Sequence, residues 1–78
     1  MDVLNTVVGI WERIFSERVT PDTDFFEDLE GDSGAAAAVV HWIGVDLGVE
    51  VPMVEVFDNP TPRELADVVD GLLAARSG

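Results

Sequence analysis

The chain has no cysteine, which excludes disulfide staples and thiolate metal sites. At 78 residues it forms one domain, residues 1–78, and a single core of that size is marginal without staples, a metal or well-idealised helix packing. Helix packing therefore has to supply the stability. The missing cysteine also fits a reducing, cytoplasmic setting. Basic residues are nearly as scarce: four arginines and no lysine face 16 acids, for a net charge of −12. A field of that sign repels phosphate backbones and argues against nucleic acid as a partner. It solvates the surface and suits docking against basic patches on other proteins. No long apolar run is present either. The stretch from Gly34 to Val45 is about twelve residues long and contains His41, whereas a membrane span needs roughly twenty. Met1-Asp2-Val3-Leu4 opens with an acid, which is unlike a signal or transit peptide.

What is present is helical periodicity. Leu4, Val7 or Val8, Trp11 and Ile14 or Phe15 recur at three- and four-residue steps, giving one apolar stripe of a helix from about residue 2 to 16. Pro21 and the Asp/Thr cluster around it mark a long first loop. Phe25, Phe26 and Leu29 are expected to pin that loop onto the helices. A second helix starts at Asp32 or Ser33, either of which can cap it, and Gly48 stops it after Leu47. A short helix is expected around Val54 to Phe57. Thr61, Pro62 and Glu64 then form a capping box for the last helix, whose core stripe is Leu65, Val68 or Val69, and Leu72. The fold class is all-α: three longer helices and one short one in a small bundle. No internal repeat competes with this reading, and the chain starts at its first helix and ends soon after its last, as expected of a freestanding domain.

Chemistry has few places to sit. Ser33 follows Gly31-Asp32 at the junction of the acidic loop and the second helix, where its hydroxyl should be exposed. Its simplest role is a helix cap. As a catalytic nucleophile it lacks a base: the single histidine, His41, is eight residues along the same helix, about 12 Å of axial rise, and a base must reach within roughly 3 Å. The acids Asp22, Asp24, Glu27, Asp28, Glu30 and Asp32 do not match calcium-loop spacing. Counted from Asp22, positions 5 and 6 are Phe26 and Glu27; counted from Asp28, positions 6 and 12 are Ser33 and Val39. No metal site is expected, and no glycine-rich phosphate loop occurs.

The ordered combination of segments says more. The stretch from Thr20 through Phe25-Phe26 to Gly31-Asp32-Ser33 resembles the loop before the modification site in carrier (thiolation) domains of nonribosomal peptide synthetases, which are related to acyl carrier proteins. Leu47 to Pro52 and Val56 to Ala66 resemble that family's third and fourth helix entries, and Ile10-Trp11 fits its first helix. The similarity covers roughly residues 7 to 73 without gaps. It implies an acyl-carrier-like four-helix bundle with 4′-phosphopantetheine, taken from coenzyme A, attached at Ser33. Asp32 and Gly31 belong to that cofactor site. The arm's thiol would hold an aminoacyl or acyl cargo as a thioester, so the chain is a non-catalytic carrier. The implied partners are a phosphopantetheinyl transferase, an adenylation or acyl-loading enzyme, and downstream condensation, ketosynthase or tailoring enzymes. The protein is expected to be a cytoplasmic monomer serving a natural-product pathway such as antibiotic biosynthesis.

Two positions depart from the family pattern. Gly34 stands where leucine or isoleucine is common after the serine, and Glu30 where a second glycine is usual. The family register also places Gly34, Ala38, Trp42 and Val45 outward, as a partner-docking face centred on Trp42. The alternative for Trp42 is that it lies against the short helix as core. The competing function is an unmodified, carrier-like docking or regulatory subunit.

Overall fold

A computed structural model describes residues 2–77. Met1 and Gly78, which the single-domain reading and the amino-terminal argument included, lie outside the described residues. Four helices follow in order: α1 (Val3–Phe15), α2 (Ser33–Leu47), α3 (Val54–Asp58) and α4 (Pro62–Ser77). No strand occurs among the described residues.

The longer helices start or stop for local reasons. The Asp2 carboxylate accepts the Asn5 N–H at 3.2 Å and caps α1. Ser16, with φ 54°, ends that helix in the left-handed conformation. Gly48 does the same for α2 with φ 67°, a backbone state that costs glycine nothing. The Arg76 guanidinium from α4 donates to the Gly48 carbonyl and fastens the end of α2. At the start of α4 the Glu64 N–H donates to Thr61 Oγ1 at 3.2 Å, and that hydroxyl donates to Glu64 Oε1 at 2.9 Å. Thr61 caps the helix as expected, while Glu64 returns to the Thr61 hydroxyl rather than to its backbone N–H, so the expected capping box forms in half.

α1 packs against α2 and α4, and α3 bridges α2 and α4. The core draws on every segment: Val7, Ile10 and Trp11 from α1, Val39 and Ile43 from α2, Val56 from α3, and Leu65 and Val69 from α4 are fully or almost fully buried. Phe25 joins them from the first loop. Its ring meets Trp11 edge to face at 5.3 Å and Phe15 at 5.5 Å, a geometry that adds about 0.5–1.5 kcal/mol per pair beyond burial. Leu29 and Val19 are buried as well, so the loop is pinned as expected. Phe26 pins the loop by a different route: it stays exposed outside the core and stacks on Phe57 of α3.

Candidate functional site

The serine is positioned by the loop that precedes it. Residues 25–29 form a helical turn, closed by the Asp28 N–H donating to the Asp24 carbonyl at 3.0 Å. The Asp24 side chain accepts the Phe26 and Glu27 N–H groups, each at 2.8 Å. Glu30 then takes φ 52°, and the Gly31 N–H returns to the Phe25 carbonyl at 2.8 Å. A Cβ at Gly31 would stand 2.4 Å from the Phe25 ring. The loop can close only because that position has no side chain. The usual glycine at position 30 also finds its reason here, in the left-handed backbone that Glu30 is made to adopt.

Asp32 is the α2 cap. Its carboxylate accepts the Ala35 N–H at 2.9 Å, and its carbonyl accepts the Ala36 N–H. Ser33 is therefore the first helical residue, and its side chain is exposed. With Asp32 capping, the Ser33 hydroxyl is released from the simpler role the sequence allows it. Gly34 beside it is exposed, and a Cβ there would meet only the Asp32 carboxylate at 3.4 Å. An exposed primary hydroxyl with open space on its carboxyl-terminal side accommodates attachment of a bulky arm. His41 is exposed further along α2. Among the described residues, no cluster of histidine and carboxylates is placed to hold a metal ion.

Four further residues of α2 were expected outward. Gly34, Trp42 and Val45 are exposed and Ala38 is half-buried; Val45 is 59% and Trp42 38% exposed. Trp42 is not core, and it turns towards α1 rather than the short helix: the Arg13 guanidinium sits 5.0 Å from its ring centroid. Arg13 Nη2 also donates to Asp46 at 3.0 Å. Nothing in the spacing of α1 or α2 signalled that pairing, which depends on how the two helices cross. On the neighbouring side of α2, Ala37, Val40, His41, Gly44 and Val45 face the 49–52 segment across an open groove of about 660 Å³. Its lining is largely apolar. It begins one helical turn after Ser33.

A second ion pair braces the loop from the other end. Arg63 donates through Nε and Nη2 to the two Asp22 oxygens at 3.0 and 3.3 Å. The hydrogen bond from Arg63 holds the Asp22 carboxyl below its ordinary value, opposed by desolvation and helped by the guanidinium charge.

Comparison with known proteins follows the same lines. Residues 5–69 match the family described as the phosphopantetheine attachment site. The chain is 37% identical over 73 residues to one of the linear gramicidin synthase proteins of Brevibacillus parabrevis, covering 92% of this chain and 1% of that protein. It is 31% identical over 67 residues to bacitracin synthase 3 of Bacillus licheniformis, again about 1% of the relative's length. Against the acyl carrier protein of Thermosynechococcus vestitus, identity is 25% over 75 residues, covering 96% of this chain and 93% of that one. The fold matches the solution structure of a non-covalent extended docking domain complex of the Pax NRPS. There the TM-score is 0.86 at 18% identity, over 96% of this chain and 72% of the other.

Proposed function

The chain belongs to the phosphopantetheine attachment-site family of carrier proteins, and from that membership we propose that Ser33 bears the arm in this protein. The observation that carries the reading is an exposed serine at the first position of α2, with Asp32 rather than Ser33 doing the capping. The family carries 4′-phosphopantetheine covalently, and when attached it supplies a thiol that holds cargo as a thioester. This chain's residues supply the rest. Gly31 lets the loop close against Phe25, Asp32 fixes the helix start and offers charge, and the amino-terminal end of α2 would favour the negative charge of an attached phosphodiester. The single histidine, His41, lies eight residues along α2 from the serine, which supports Ser33 as a substrate for a phosphopantetheinyl transferase rather than a catalyst.

The protein would act as a non-catalytic carrier in the cytoplasm, passing cargo from an adenylation or acyl-loading enzyme to condensation, ketosynthase or tailoring enzymes of a natural-product pathway. Its resemblance to synthase segments through Trp11, Phe25-Phe26 and Phe57-Asp58-Asn59-Pro60 favours aminoacyl or peptidyl cargo. Gly34, Ala38, Trp42 and Val45 form its docking face, with Trp42 steadied by Arg13. Among the described residues no helix is long and apolar enough to cross a membrane, and the −12 charge disfavours self-association.

Gly34 supports a second reading, a docking or regulatory subunit that is never modified, because it lacks the apolar side chain usual after the serine. Incubation with coenzyme A and a broad-specificity transferase, followed by intact-mass measurement, separates the two. The wild type should gain one phosphopantetheine and Ser33→Ala none. No gain with several transferases would favour the docking role.

A further inference from the structure

The loop before the serine carries one of a pair of aromatic rings that the attachment reading leaves unused. Phe26 and Phe57 stack with centroids 5.6 Å apart and planes 18° from parallel, joining the first loop to α3. Phe26 keeps 38% of its surface in solvent, yet it is held firmly. Its N–H is fixed by the Asp24 carboxylate at 2.8 Å, and its carbonyl accepts the Glu30 N–H at 3.2 Å. Its ring meets Phe25 at 5.2 Å, and Phe25 is locked in turn against Trp11. An exposed ring already fixed in place loses little further freedom when something binds it.

Charge says what that something is. Asp24, Glu27, Asp28 and Glu30 lie within four residues of Phe26, and Glu55 and Asp58 flank Phe57. No lysine or arginine occurs between Arg18 and Arg63, and Arg63 is committed to Asp22. An aromatic face is the negative pole of the ring's quadrupole. Rings among carboxylates therefore suit a cation, and a planar guanidinium stacks on them better than a compact ammonium. Trp42 shows the contrast. It already has a cation from its own chain, Arg13 at 5.0 Å. For Phe26 the cation has to come from outside, and a second copy at −12 is repelled.

Position says which partner brings it. Gly31 lies directly against Phe25, Phe25 against Phe26, and Ser33 is two residues beyond Gly31. Phe26 therefore belongs to the loop that an enzyme acting on Ser33 has to approach. We propose that the Phe26–Phe57 pair seats an arginine of the phosphopantetheinyl transferase, through cation–π contact reinforced by the surrounding carboxylates. This rests on Ser33 being the modified residue.

The test uses the whole apo protein, a broad-specificity phosphopantetheinyl transferase and coenzyme A. Two quantities are read: the Kd of the apo carrier for the transferase, and kcat/KM for modification. Phe26→Leu keeps the apolar bulk but removes the π face, and should weaken both by roughly 5- to 30-fold, mainly through Kd and KM. Replacing Phe26 with phenylalanine of increasing fluorination keeps the shape and drains the ring's negative face, so affinity should fall stepwise with unchanged thermal melting. Affinities within about twofold of wild type across that series would overturn the proposal while leaving the attachment site standing. A wild type that binds the transferase but never gains mass would overturn the attachment reading itself, and this one with it.

Discussion

At the scale of single residues, the loop before Ser33 shows how backbone geometry and sequence can be at odds. Glu30 occupies a left-handed conformation, φ 52°, that costs a side-chain-bearing residue roughly 1–2 kcal/mol. Part of that strain should be recoverable. Glu30→Gly is expected to raise stability in urea melts by about 0.5–1 kcal/mol, the added freedom of the unfolded glycine offsetting the remainder. Gly31 is the converse case. A methyl group there would overlap the buried Phe25 ring, so Gly31→Ala should cost about 1–3 kcal/mol and slow modification of Ser33 by shifting the loop. Asp22 is expected to show a pH signature. Its folded pKa lies below the model-compound value of 3.8 because of Arg63, so the stabilisation is present above that pH and lost as pH falls through the lowered value. Asp22→Asn should therefore melt below wild type at neutral pH, with the gap closing in acid below about 3.8. The acidic loop and its serine were legible in the order of residues. The reason position 30 prefers glycine was not, because φ does not show in a string of side chains.

At the scale of elements, helix ends were the most legible feature. Asp32, Gly48 and the Thr61–Glu64 pair act where their chemistry said they would, since capping depends on neighbours only two to four residues away. The helical turn at 25–29 was not legible: its first amides are satisfied by the Asp24 side chain, its Phe25 and Phe26 carbonyls by the Gly31 and Glu30 N–H groups, and no apolar repeat announces it. The direction of Trp42 was equally hidden, because α2 is apolar around much of its circumference and periodicity could not choose its buried face. The cap offers a clean separation of roles. Asp32→Ala should cost about 1 kcal/mol of stability, whereas Asp32→Asn, which still accepts from the Ala35 N–H, should keep nearly all of it. If Asp32 also recognises the transferase by charge, Asp32→Asn should slow modification without lowering the melting temperature. Equal rates for Asp32→Asn and wild type would reduce Asp32 to a cap alone.

At the scale of the whole molecule, two properties combine: a small core closed by helix packing alone, and a surface of 16 acids against four arginines. The four helices were legible from periodicity and caps, whereas the division of the surface into an acidic loop, an uncharged α2 face and an aromatic pair needed the fold to bring its parts together. Self-repulsion at −12 should make stability depend on salt. Raising ionic strength from about 0.01 M to about 1 M shortens the screening length from about 30 Å to about 3 Å, so the melting temperature should rise across that range, and a fall would mean that Arg13–Asp46 and Arg63–Asp22 outweigh the repulsion. On the proposed reading, this organisation serves one exposed hydroxyl, that of Ser33. The most direct test is to digest the transferase-treated protein and locate the added phosphopantetheine by fragmentation mass spectrometry. The account expects it on Ser33 and on no other hydroxyl; attachment at Ser16, Thr20, Thr23 or Thr61, with Ser33 bare, would contradict it.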